Sequence, residues 1–218
     1  MHRLRDLPFL VILMGLAGVA MLLPAFHALI LRDHTVARGF FYSGFIILML
    51  VCMIAIATLN FQSRTTARSH LLAVAAAYAV LPVLLALPLT QMRLGIGFGD
   101  AWFEMLSDFT TTGATLFAPQ SLPPSVHLWR AIVGWLGGFF IVLMAVAVLA
   151  PMNFGGAEVA SGRGSERGAT GASQITRLAD PSLRILRCAA LILPAYAALT
   201  LLLWGALMVA GEIGRAHV

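Results

Sequence analysis

Ala101-Trp102-Phe103-Glu104-Met105-Leu106-Ser107-Asp108-Phe109-Thr110-Thr111-Thr112-Gly113-Ala114-Thr115 is the stretch whose reading decides the fold of this chain. Ala101 to Phe109 has the pattern of an amphipathic helix, much too short to cross a bilayer. Thr110 to Thr115 is an irregular, hydroxyl-rich run around a central glycine, Gly113. Upstream, Gly95-Ile96-Gly97-Phe98-Gly99-Asp100 is a turn-prone loop. Asp100 is placed to cap the short helix, and Glu104 to favour its first turn. Pro119, Pro123 and Pro124 follow. Long apolar segments lie on both sides. The order is long helix, loop, short helix, irregular strand, loop, long helix. That is the outline of a re-entrant pore loop between two spanning helices.

The flanking sequence supports this outline. The 218 residues are 60% hydrophobic and 11% charged, against about a quarter charged in soluble domains. A soluble core could not hide so much apolar surface, so the natural solvent is a bilayer and membrane lipid the surrounding partner. No Asp, Glu or Arg occurs from Leu7 to Leu31, Gly39 to Ser63, Leu71 to Met92, Ala131 to Ala157, or Cys188 to Gly211. Each window is about 20 residues or longer, enough to cross as a helix. The expected fold is an all-α integral membrane protein with five transmembrane helices, one re-entrant pore helix and a filter loop. Residues 1–66 hold two N-terminal helices, 67–154 the helix–pore loop–helix repeat, and 155–182 a Gly-, Ser- and Arg-rich cytoplasmic loop. Residues 183–211 read as the first helix of a second repeat. The last seven residues, 212–218, match the in-frame translation of a common sequencing adapter. They are expected to be a non-native tail on a truncated reading frame.

Charge placement orients the chain. Arg3, Arg5, Arg64, Arg68, Arg163, Arg167, Arg177, Arg184 and Arg187 fall on one side of a simple zigzag. Arg32, Arg38, Arg93 and Arg130 fall on the other. The excess places the N-terminus in the cytoplasm, with the pore loop entering from outside. The net charge of +5 comes without a basic stripe interleaved with stacking aromatics, so nucleic acid is not an expected partner. Cys52 and Cys188 lie in separate apolar runs and read as buried core residues, without a disulfide or metal site. His27 reads as a helix-end residue, and Trp102, Trp129 and Trp135 as interfacial aromatics. Gly134 and Gly138 form a G-x-x-x-G face, for close helix approach or simply for tight packing.

The chemistry suited to Thr110–Thr115 is replacement of an ion's lost hydration shell by backbone carbonyls, supported by hydroxyls. Irregular backbone at membrane depth is tolerated only where it lines a cavity or is buried in protein. The C-terminal end of the short helix carries negative partial charge and favours a cation. Asp108 either adds to that charge or serves as a structural acceptor behind the loop. Glu104 reads as a helix-start residue and not as an ion ligand. No intramembrane His, Asp or Glu constellation and no G-x-S-x-G motif suggests an enzyme. A structural membrane subunit without its own ion pathway fits the composition, but leaves the Thr/Gly loop unexplained.

The 101–115 segment resembles the first pore-helix and filter segment of the Trk/Ktr/HKT superfamily of potassium transporters. The resemblance continues through Ser121-Leu122-Pro123-Pro124, Leu128-Trp129-Arg130 and Gly134-Trp135-Leu136-Gly137-Gly138. Two extra N-terminal helices point to the Trk branch. Leu183 to Gly211, with Tyr196 and Thr200, resembles the first helix of a second repeat. The resemblance implies a pathway built from four such repeats, of which one is complete here. It implies K⁺ as the transported ion, coordinated by Thr111, Thr112, Gly113, Ala114 and Thr115, mainly through carbonyls, with no covalently bound cofactor. A less selective Na⁺/K⁺ pathway is the alternative. It further implies a homodimer in the bacterial inner membrane and a TrkA-like cytoplasmic nucleotide-binding regulatory subunit. The chain departs from the family in two places. Asp108 stands where the family commonly has Gly, and Phe139-Phe140 where it commonly has Met-Gly.

Overall fold

A computed structural model describes residues 9–58, 67–92, 95–145 and 181–210. Arg3, Arg5, Arg64 and Arg93, the 155–180 part of the polar loop and the 212–218 tail therefore lie outside the described residues. The described residues are helical, with no strand among them. Five helical segments are long and apolar enough to cross a membrane: Leu10–Ile30, His34–Thr58, Val74–Gln91, Pro124–Met144 and Arg187–Val209. The chain divides into two compact units, residues 1–140 and 141–218.

In the first unit, the first span is two helices, α1 (Phe9–Ala20) and α2 (Leu22–Ile30), meeting at Met21. Pro24 explains the break. It has no N–H for the Ala20 carbonyl, and its ring crowds that carbonyl. A tight turn follows, with Arg32 at φ 59°. Asp33 then opens α3 (His34–Thr58) by accepting the Val36 N–H at 3.1 Å on its side chain. This start precedes the uncharged window, so Arg38 lies inside the helix, its Nε donating to the His34 carbonyl. Cys52, expected in the core, is on an exposed face of α3. α4 (Ala67–Gln91) contains Pro82 and Pro88 without ending. α5 (Phe98–Phe109) packs on α4, and α6 (Pro124–Met144) follows a 3₁₀ turn at Pro119–Ser121.

Helices in lipid gain little from apolar burial against one another, so close packing and interhelical hydrogen bonds hold them. Trp129 of α6 supplies both. It is fully buried, its indole N–H donates to the Leu85 carbonyl of α4 at 3.1 Å, and its ring meets Phe40 of α3 edge-on at 5.8 Å. The expected interfacial role is therefore wrong for Trp129, which is a core residue. Trp102 remains 39% exposed. His27, in the last turn of α2, bonds Ser125 at the start of α6, with Nδ1 and Oγ 2.9 Å apart.

The second unit contains the last turn of α6 and α7 (Pro181–Val209). Pro194 sits inside α7, and the Thr200 hydroxyl donates to the Tyr196 carbonyl one turn back. Leu199, Leu201, Leu202 and Trp204 are exposed.

Candidate functional site: the α5 helix and the loop that follows it

α5 begins one turn earlier than its charges suggested. Gly97 is the N-cap, in extended conformation, and Asp100 lies in the first turn without making a side-chain cap bond. Its carboxylate still faces the positive end of the helix. Glu104 consequently falls in the second turn. It shares the buried face with Ala101, Met105 and Asp108, at the three- and four-residue spacing of one helix side.

The helix ends in a Schellman motif. The Thr112 N–H donates to the Ser107 carbonyl at 2.9 Å, and the Thr111 N–H to the Asp108 carbonyl at 3.0 Å. This motif needs a left-handed residue just past the C-cap, usually Gly. Thr111 occupies that position at φ 57°. A β-branched residue there is unusual and costs about 1–2 kcal/mol. Gly113 is also left-handed, at φ 74°, where glycine is the residue without that cost. Two reversals two positions apart prevent residues 110–115 from continuing the helix or becoming a regular strand.

Side chains then fix the loop on α5. The Ser107 hydroxyl donates to the Ala114 carbonyl at 2.7 Å. The Thr115 hydroxyl donates to Glu104 Oε1 at 2.6 Å, and the Leu116 N–H to Glu104 Oε2 at 3.0 Å. The Thr110 hydroxyl donates to the Leu106 carbonyl, and the Thr111 hydroxyl to the Thr110 carbonyl. Among the described residues, no hydrogen bond takes the carbonyls of Thr111, Thr112 or Gly113. These three residues are exposed.

Beneath the loop lies a charge cluster that sequence reasoning missed. Arg130 Nη2 is 2.8 Å from Glu104 Oε1, and its Nε is 3.0 Å from Asp108 Oδ2. Glu104 is fully buried and Asp108 nearly so. Glu104 is thus no helix-start residue. Asp108 is an ion-pair partner, nearer to the structural alternative than to an exposed charge on a pathway. The i, i+4 spacing of the two acids on one buried face was the signal available in the sequence.

α6 reaches the end of α5 through glycine, at Gly137 as well as at Gly134. A Cβ on Gly137 would lie 2.7 Å from the Phe109 carbonyl carbon and would overlap the carbonyl oxygen. A Cβ on Gly134 would make an ordinary 3.6 Å contact with the Asp108 carbonyl. The close approach is therefore at Gly137, one turn along the same face from Gly134. The unusual phenylalanines have partners. Phe140 packs on Phe109 and Tyr78 at 5.6 and 5.3 Å, and Phe139 stacks on Trp135 at 6.1 Å. Among the described residues, no group of three or more His, Cys, Asp or Glu side chains forms a metal-binding cluster.

Comparison with known proteins places this arrangement. The chain is 32% identical over 150 residues to the Trk system potassium uptake protein TrkH of Vibrio parahaemolyticus, covering 68% of this chain and 31% of that protein. It is 33% identical over 141 residues to TrkH of Escherichia coli, covering 64% and 29%. It is 39% identical over 80 residues to TrkI of Halomonas elongata, covering 36% and 15%. The crystal structure of the potassium transporter TrkH from V. parahaemolyticus superposes with a TM-score of 0.69 at 27% identity, covering 94% of this chain and 40% of that one. The chain belongs to the Trk family. It spans about a third of the length of the two TrkH proteins. No family model matches it. The relatives carry the names of uptake proteins, in keeping with a Trk chain that is not an enzyme.

Proposed function

We propose that this Trk chain contributes a pore-lining unit to a protein that takes up potassium. Residues 111–115 would be its share of the selectivity filter. The carbonyls of Thr111, Thr112 and Gly113 would face the ion. Ala114 and Thr115 would complete the segment while bonding back to α5. The observation that carries this reading is the row of three carbonyls without hydrogen-bond partners among the described residues, on an exposed segment at the negative end of α5. An ion losing its water needs a ring of such oxygens, and one segment supplies only part of a ring. Further units of the same kind, beginning with α7, would supply the rest. The names of the relatives, all potassium uptake proteins, favour K⁺ as cargo.

The same reading includes entry from the outer face, an inner-membrane location with a cytoplasmic N-terminus, a homodimer and a TrkA-like nucleotide-binding subunit on the cytoplasmic side. The domain limits given above, with 67–154 as the complete repeat, belong to it as well.

Gly113→Ser in the complete transporter tests the reading. In a strain without other potassium uptake, growth on limiting K⁺ should weaken, or the preference for K⁺ over Na⁺ should fall. Wild-type growth with wild-type preference would remove Gly113 from the filter. A wild-type protein that carries Na⁺ and K⁺ equally would favour the less selective alternative.

A further inference from the structure

We infer that Glu104 is a positioning residue for ion discrimination: it fixes the far end of the carbonyl segment, and Arg130 holds Glu104 in place. The inference rests on residues 111–113 being the ion-facing segment, as proposed above, and goes on to name what sets its geometry.

The segment is held at two ends. At the near end, the Schellman bonds tie Thr111 and Thr112 to the last turn of α5. At the far end, Ser107 holds the Ala114 carbonyl, and Glu104 holds both the Thr115 hydroxyl and the Leu116 N–H. Between these ends stand the three carbonyls that no described residue takes. Their spacing is set by the distance between the two attachments. A site that distinguishes ions by the number and field of its carbonyls depends on how firmly that spacing is kept.

Glu104 suits this task because a carboxylate has two acceptor oxygens and no donor. Oε1 takes the Thr115 hydroxyl and Oε2 the Leu116 N–H, so one planar group fixes two successive residues. The charge strengthens both bonds, and the Thr115 bond is short at 2.6 Å. Such a charge is unstable in a fully buried position unless paired. Arg130 provides the pairing. Its planar fork reaches Glu104 through Nη2 and Asp108 through Nε, so it also fixes Glu104 relative to the end of α5. Cluster and loop thereby form one connected unit across α5, the loop and α6.

The test uses the complete transporter in the same uptake-deficient strain, with membrane abundance measured by immunoblot. Glu104→Gln replaces one acceptor oxygen by a donor, so the Thr115 and Leu116 donors no longer have separate acceptors. Thr115→Val removes the hydroxyl at constant shape, and Thr115→Ser keeps it. At equal abundance, the ratio of half-saturating K⁺ to half-saturating Na⁺ should change about tenfold in Glu104→Gln and in Thr115→Val. It should stay at wild type in Thr115→Ser. A purely structural role would lower abundance and leave that ratio alone. An unchanged ratio in Thr115→Val at normal abundance overturns the inference, and that variant decides the matter if Glu104→Gln fails to reach the membrane. If wild type shows no K⁺ uptake, the proposed function fails. If wild type and Gly113→Ser behave as proposed while Thr115→Val is silent, only the role of Glu104 falls.

Discussion

Gly137 of α6 lies directly against the backbone of Phe109, the last residue of α5, with no space for a Cβ between them. The obstacle is main chain and cannot rotate aside. Gly137→Ala should therefore push the end of α5 away from α6 and lower stability by about 1–3 kcal/mol. Gly134→Ala meets only an ordinary 3.6 Å contact and should be close to neutral. Thermal unfolding of the two variants in detergent checks the contrast. Equal melting temperatures would mean that the close approach is not at Gly137.

Arg130 stands between two carboxylates and is the cation they share. Arg130→Met should leave both acids buried without a counter-charge and destabilise the protein by about 3–5 kcal/mol. Arg130→Lys keeps the charge but loses the fork that reaches both, so it should fall between wild type and Met. The triple variant Glu104→Gln, Asp108→Asn, Arg130→Met removes the charges together and should recover much of the loss. Melting temperature and yield from membranes are the readouts, and failure of the triple variant to recover either would count against charge pairing as the cause.

A Cβ on Gly113 would meet no atom within 4 Å, so the requirement there is one of backbone conformation alone. Gly113→Ala should cost about 1–2 kcal/mol, the penalty of a left-handed L-residue. A D-alanine placed there by semisynthesis should cost much less. Thr111 presents the converse case, since Thr111→Gly would remove a similar penalty at φ 57° while losing the hydroxyl bond to the Thr110 carbonyl. Its melting temperature should stay near wild type or rise.

Trp129→Phe should keep most of the ring's packing and lose the 3.1 Å bond to the Leu85 carbonyl, at a cost of about 0.5–1.5 kcal/mol. Trp129→Ala empties the junction of α3, α4 and α6 and should cost about 3–5 kcal/mol. If Trp129 were interfacial, the two variants would differ little, and a melting series would show it.

Much of the architecture was legible because lipid imposes a simple rule. Charges are expensive in hydrocarbon, so uncharged windows from Leu7 to Leu31 and onward marked the spanning helices. The start of α3 was misplaced because Asp33 caps it and Arg38 sits within its first turns, both near a helix end where polar groups are tolerated. The end of α5 at Phe109 was visible in Thr110–Gly113, since hydroxyls and a glycine compete with helix there. The roles of Glu104, Trp129 and Gly137 were not visible. Glu104 was assigned from its distance to a helix start, a local signal, whereas its pairing with Arg130 arises only when α6 folds back on α5. Trp129 looked interfacial by type, yet the backbone carbonyl it needs belongs to Leu85 on another helix. Gly137 lies outside the four-residue repeat of Gly134 and Gly138, and only the packed helices bring it against the Phe109 backbone.

The order of amino acids alone settled which segments can enter a bilayer and where the short helix must stop. Both depend on local chemistry: transfer of side chains into hydrocarbon, and the backbone conformations open to threonine and glycine. Only the assembled helices decided that Glu104, Asp108 and Arg130 form one cluster, that Gly137 receives the Phe109 backbone, and that three carbonyls are left without partners among the described residues. Those outcomes depend on distances between groups far apart in the chain, which exist only after the helices have packed.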